Sequence, residues 1–201
     1  MGENMTINEI TKIVWKYRRT FKFGGTRQWE DTTFLKKWYD KYYPGEWTKS
    51  SETSGWYWFE FSDNIDILRN TQEPKNRPKN GCQFRSQSAI NVTLFEDSLA
   101  HSMSGVPVVY NGHEANTLGR VRSHFALNND KTGALGINSY PTLSKKAWSV
   151  SIFHKGYIDS ISDLSESRKA ILLKFCNSKT GRTAIEQNWR SQFGWPLLSR
   201  A

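Results

Sequence analysis

Apolar residues recur at helical spacing from the start of the chain: Ile10, Ile13, Val14, Tyr17 and Phe21 share one face. Thr6 and Glu9 stand ahead of them as a capping box, each side chain placed to satisfy the other's free backbone N–H. Lys12, Lys16, Arg18 and Arg19 lie off the stripe, and Gly24-Gly25 ends it. Asp31 caps a second stripe of Phe34, Leu35, Trp38, Tyr39 and Tyr42, which Pro44-Gly45 closes. The pattern predicts a pair of helices over 1–48, an N-terminal extension to the rest of the chain.

Beyond residue 54 the period changes. GWYWFEF, 55–61, is aromatic and β-favouring, and predicts a strand. The stretch 71–88 carries two prolines, a glycine and four basic residues, and reads as a loop or excursion. A second β-like run follows at 89–95, then VPVVY at 106–110, where Pro107 fits an edge or start position. From 114 to 128 the spacing is helical, with Leu118, Val121 and Phe125 on one face. AWSVSIF, 147–153, alternates as a strand does. Helices are predicted over 165–177 and 180–193, with Gly194 as the stop and Pro196 after it. This order of strands and helices is α+β.

Charge and composition narrow the chemistry. The 201 residues carry 28 Lys and Arg against 19 Asp and Glu, a net +9, which suits a polyanionic partner. Aromatics at 14% provide ample area to bury, so disorder is excluded. Cys82 and Cys176 are too few for a disulfide scaffold or a four-cysteine zinc site. No apolar run reaches the ~18–20 residues of a membrane span, and MGENMTINEI lacks the apolar core of a signal peptide. The expectation is a cytoplasmic protein with no membrane partner. Composition alone does not separate a nucleic-acid binder from an ordinary basic protein.

A few positions carry candidate chemistry. Arg120 and His124 are four apart and project from one stripe of the 114–128 helix, beside its apolar face. Tyr110-Asn111-Gly112 precedes them at the end of a strand, which suits a phosphate site gripped by an arginine fork, although such a pair also occurs as plain surface residues. Glu186 flanks the Ile185/Trp189/Phe193 stripe; it suits a hard cation, or equally an i,i+4 pair with Arg190. Tyr57 shares a strand face with Phe59 and Phe61, as a core aromatic would. Phosphate-cradling loops, dinucleotide fingerprints, HExxH spacing and nucleophile elbows are absent from the sequence, and Asp63 and Asp66 make no paired metal motif.

Taken in order, Gly55-Trp56-Tyr57, Tyr110-Asn111-Gly112, Arg120, His124 and Glu186 resemble the GIY-YIG nuclease superfamily. There, one strand bears Gly-x-Tyr, the next Tyr-x-Gly, the following helix an Arg ten positions on and a His or Tyr four further, and a later helix a Glu. The likeness spans 55–61 and about 105–200, including YNGHEANTLGRVRSHF and a Pro-x-x-Asn-like turn at Pro196 to Ser199. It departs at Trp56, where a small aliphatic is usual, at Ser199, where Asn is common, and in the long gap between Tyr57 and Tyr110. An insertion at about 62–104 accounts for the gap, within a domain spanning 49–201. The restriction-enzyme branch carries additions of this kind.

The resemblance implies a small central antiparallel sheet, three core strands plus inserted strands, flanked by helices. It implies a metal-dependent endonuclease acting on double-stranded DNA, of restriction type; a phage or repair-type nuclease, or a non-catalytic binding module of the same fold, are the alternatives. Glu186 would hold one Mg²⁺ or Mn²⁺. Arg120 would neutralise phosphoryl charge, Tyr57 would be the general base with Arg120, the metal and His124 lowering its pKa or relaying its proton, and Tyr110 would position phosphate or water. The expected DNA contacts are Lys75, Arg77, Lys79 and Arg85 of the 71–88 excursion and the basic N-terminal helical pair, with His113 and Arg122, and Asn80, Gln83 or Gln87 the base contacts; a solvated loop and a structural N-terminal extension are the alternatives. With one active site per chain, a homodimer on DNA is one route to cutting both strands.

Overall fold

The computed structural model describes residues 4–23, 53–75, 81–126 and 133–200. Among the described residues, four antiparallel strands form one sheet: β1 (Arg19–Phe23), β2 (Gly55–Phe61), β3 (Val108–Glu114) and β4 (Trp148–His154), in the order β1-β4-β2-β3. Helices α1 (Ile7–Lys16), α2 (Asp66–Asn70), α3 (Phe84–Phe95), α4 (Ala100–Met103), α5 (Thr117–Ala126), α6 (Glu166–Asn177) and α7 (Lys179–Phe193) surround it. The expected α+β class, an antiparallel sheet flanked by helices, is the class observed. No helix of the described residues is long and apolar enough to cross a membrane.

Both faces of the sheet are covered, which explains why GWYWFEF is aromatic without alternating polar residues. Tyr57, Phe59 and Phe61 pack on one side with Val150, Ile152, Trp148 and the Leu118/Val121/Phe125 face of α5. Trp56 and Trp58 pack on the other with Phe153, Ile10 and Val14 of α1, Leu172 and Cys176 of α6, and Ile185 and Trp189 of α7. Helices thus sandwich the sheet, and β2 lies inside it between β4 and β3.

Several elements differ from expectation. The capping box on α1 is formed, but the helix stops at Lys16 and residues 19–23 are a strand, not the tail of a helical pair. Phe21 follows Tyr17 by four, a spacing common to periods of 3.6 and 2; its pairing with Val150 decides for the strand. The sheet's fourth strand therefore comes from the N-terminal segment. The second predicted helix of 1–48 lies outside the described residues. The inserted strand expected at 89–95 is instead the second half of α3. Alternation would have grouped Ile90, Val92 and Leu94; the helix buries Phe84, Ser88 and Asn91, leaving Ile90 and Leu94 exposed. A buried tertiary bond favours this phase: Asn91 Nδ2 donates to the carbonyls of Leu197 and Ser199, 2.7 Å each. Consequently the 71–88 excursion ends inside a helix.

The third strand also runs further than the sequence predicts. It continues to Glu114, so Tyr110-Asn111-Gly112 lies within it. Pro107 sits just before it, its carbonyl accepting from Phe61 N–H at 2.9 Å. Gly194 ends α7 as expected: its φ of +100° is strained for any side chain, and a Cβ there would lie 2.7 Å from the Ser98 carbonyl.

Candidate active site

The β2–β3 register sets Tyr57 opposite Gly112 and Phe59 opposite Tyr110, so both tyrosines stand on the α5 side of the sheet. Gly112 makes this possible, because a Cβ on it would lie 2.5 Å from the Tyr57 hydroxyl oxygen. Asn111 and His113, opposite Trp58 and Trp56, face the α7 side. With β3 at the sheet edge, the two sets meet around its rim. There, a cavity of about 260 Å³ takes Tyr57, Tyr110 and Arg120 from one side and His113, Glu186 and Arg190 from the other, with Asn111, Glu114, Cys82 and Arg200 also in its wall.

His124 lies behind this wall, fully buried. Its Nδ1 accepts from the Leu135 backbone N–H at 3.1 Å, so the ring proton belongs on Nε2. That Nε2–H points at Tyr57 Oη, 3.0 Å away, and donates to it. Burial, with the nearby Arg120 charge, holds the His124 pKa well below its usual range, so the ring is neutral. Its geometry suits a fixed donor to the Tyr57 oxygen rather than a proton relay.

Tyr57 is pushed well above the ordinary phenol range by burial first and by Tyr110 next; the charge of Arg120 and a hydrogen bond from it oppose the shift. Tyr110 is raised as well, chiefly by burial, with Arg120 again opposing. The two phenol rings stack at 6.3 Å between centroids. Arg120 also donates to the Gly133 carbonyl, which ties its guanidinium to the segment after α5.

Glu186 and Arg190 form an i,i+4 ion pair through Oε1 and Nη2. Burial raises the Glu186 pKa and the Arg190 charge counters it. The other carboxylate oxygen, Oε2, makes no hydrogen bond among the described residues and lies 3.6 Å from His113 Nε2. Burial first, and Arg182 next, depress the His113 pKa to about 4, so at neutral pH this ring brings no charge to a phosphate. His113 instead pairs with Thr183 Oγ1 at 3.0 Å.

A hard cation fits this donor set sparingly. Among the described residues, no group of three or more His, Cys, Asp or Glu could hold a metal ion. Glu186 Oε2 is an unbonded carboxylate oxygen on the cavity wall, and Mg²⁺ is commonly held by one or two carboxylates, waters and substrate phosphate oxygens. Glu186 would hold the ion together with a bound phosphate.

Of the residues singled out from the sequence, Tyr57, Tyr110, Arg120, Glu186 and His113 line the cavity, and His124 supports it from behind. Lys75 and Arg85 are exposed outside the wall, and Arg122 is half-buried on α5 away from it. Arg77, Lys79 and Asn80 lie outside the described residues. Gln83 is exposed, whereas Gln87 is turned inward to Asn91 Oδ1 and the Ser199 carbonyl. Sequence reasoning passed over Asn111, Arg200 and the place of Arg190 in the cavity wall. Asn111 carried a signal, being the middle residue of Tyr-Asn-Gly; Arg190 read only as a helix-surface partner of Glu186. Compared with known proteins, the chain matches no family model, no curated protein and no solved structure.

Proposed function

We propose that this protein is a metal-dependent endonuclease that hydrolyses phosphodiester bonds in double-stranded DNA, of restriction type and of GIY-YIG kind. The observation that carries this reading is convergence. Tyr57, Tyr110, Arg120 and Glu186 come from four separate elements and reach one cavity at the sheet edge. The net charge of +9, with Lys75 and Arg85 exposed nearby in sequence, supports a polyanionic partner.

Each residue then has a chemical task. Tyr57, once its hydroxyl proton has gone to bulk water, takes the proton of the attacking water as a phenolate and is a neutral phenol again. Its oxygen accepts from His124 Nε2–H and from Arg120, and both bonds favour that phenolate against the burial that raises the Tyr57 pKa. Arg120 neutralises the charge that develops on the nonbridging oxygens. Tyr110, stacked on Tyr57, orients the water or the phosphate. Glu186 would hold Mg²⁺ or Mn²⁺, which when bound would supply positive charge to the phosphoryl group. With one such site per chain, cutting both strands requires a homodimer on DNA or successive nicks.

The test is supercoiled plasmid incubated with Mg²⁺, with and without EDTA, and with end-mapping of the products. Glu186→Ala and Arg120→Ala should each reduce cleavage by at least about 10²-fold while the far-ultraviolet circular dichroism stays native. Sharp fragments favour the restriction role, and structure-selective nicks a phage or repair role. Salt-sensitive binding without cleavage by the wild-type chain would replace the enzyme with a non-catalytic binding module.

A further inference from the structure

Arg190 is a cation with an unusual number of fixings. Its side chain is 9% exposed. Nη2 bonds Glu186 Oε1, Nε donates to Asn111 Oδ1 at 3.0 Å, and the guanidinium carbon stands 4.4 Å from the centre of the Trp195 ring. Asn111 is itself pinned: its Oδ1 accepts from Ser199 Oγ at 3.3 Å, and its backbone N–H donates to that same oxygen at 3.4 Å. Two of the three fixings are therefore independent of Glu186.

The carboxylate has no such second anchor. Glu186 is 13% exposed, and Arg190 is its sole hydrogen-bond partner among the described residues. A buried carboxylate without a cation is costly, so some positive charge must sit beside it when no metal does.

We propose that Arg190 is a positioning residue that stands in for the metal: it neutralises Glu186 in the metal-free site, gives the carboxylate up to a divalent ion, and stays behind to face the phosphate. This rests on the nuclease reading of the same cavity. Once Glu186 turns to the ion, the Asn111 bond and the Trp195 ring keep the guanidinium in the wall, with its Nη2 hydrogens unpaired. A phosphate oxygen is the partner that satisfies them. A cation on the free Oε2 of Glu186 stands next to the guanidinium held on Oε1 and repels it, so metal alone pushes Arg190 off without compensation, whereas metal and DNA together satisfy both groups. The two ligands are coupled, and the coupling is reciprocal.

The experiment measures Mn²⁺ binding to the metal-free protein by electron paramagnetic resonance, without DNA, in wild type, Arg190→Gln, Arg190→Lys and Glu186→Gln. Arg190→Gln should bind Mn²⁺ at least about fivefold tighter than wild type, because its competitor is gone. Plasmid cleavage by the same variant should fall. Glu186→Gln should lose binding. Arg190→Lys, which keeps the charge but cannot span Asn111 and Glu186 at once, should lie between wild type and Arg190→Gln in affinity. A purely structural role for Arg190 would weaken binding and cleavage together. Unchanged or weaker Mn²⁺ binding in Arg190→Gln overturns the proposal; should that variant not fold, Arg190→Lys binding no tighter than wild type overturns it. Mn²⁺ binding is read without cleavage, so the two readings fail separately. A wild-type chain that never cuts sinks the nuclease; a wild-type chain that cuts, with no gain of affinity in Arg190→Gln, sinks the exchange.

Discussion

The two faces of the sheet are built from alternate residues of one strand, yet they do different work. On the α7 side, Trp58 joins Trp15 and Trp189, with ring centroids 5.2 to 6.2 Å apart, in contact that is almost wholly apolar. On the α5 side, Tyr57 is just as buried, but its hydroxyl meets His124, Arg120 and Tyr110. Both positions are large aromatics deep in the protein. What separates them is the set of polar groups gathered around the Tyr57 oxygen, where the Trp58 indole N–H finds no hydrogen-bond partner among the described residues. Burial holds the first face together; on the second, burial mainly tunes charge and proton affinity.

Substitutions can test that contrast. The largest effect on the fold should come from Trp58→Ala, which empties the middle of the tryptophan cluster and should cost about 3–5 kcal/mol in urea denaturation. The molecules that remain folded should keep the wild-type cleavage rate, and a selective loss of rate would erase the distinction between the faces. Tyr57→Phe should do the reverse. Removing the oxygen leaves His124 Nε2–H unsatisfied and should destabilise by about 1–3 kcal/mol, a smaller loss than the tryptophan brings, while cleavage disappears. If the phenylalanine variant still cuts, Tyr57 is not the base.

Acid should act on both faces more gradually. His124, His154 and His113 are all kept neutral chiefly by burial, the last two with pKa values depressed from 6.5 to about 3 and about 4. Each takes up a proton on unfolding that it refuses in the fold, so protons favour the unfolded chain. Stability is complete above about pH 6.5 and should fall below it by about 1.4 kcal/mol per pH unit for each fully shifted ring. Urea midpoints at pH 7, 6 and 5 would show the slope, and a flat profile would mean that the rings take up protons in the fold as readily as in the unfolded chain.

Much of the fold was legible because the patterns were local. The capping box at Thr6 and Glu9, the β2 aromatics, the α5 stripe of Leu118, Val121 and Phe125, and the Gly194 stop each declare themselves within a few residues. The misreadings fall where two periods fit the same residues. Phe21 fits a helix after Tyr17 and a strand beside Val150, and AINVTLF alternates well enough to hide a helix held by Asn91. In both cases a distant partner made the choice.

The candidate site divides in the same way. The residue types and spacings of Tyr57, Tyr110, Arg120, His124 and Glu186 could be read along the chain, as could the excess of positive charge. Their meeting could not, because it depends on β3 being the sheet edge, so that side chains from opposite faces close around one rim. The neutrality of His124 and His113 was hidden as well, since desolvation is a property of surroundings and not of residue type. Arg190 shows the division most clearly. Sequence alone determined that a cation lies one turn from Glu186. Tertiary structure alone decided that Asn111 and Trp195, from other parts of the chain, hold that cation in the cavity wall, because a contact's partner and burial are set by packing.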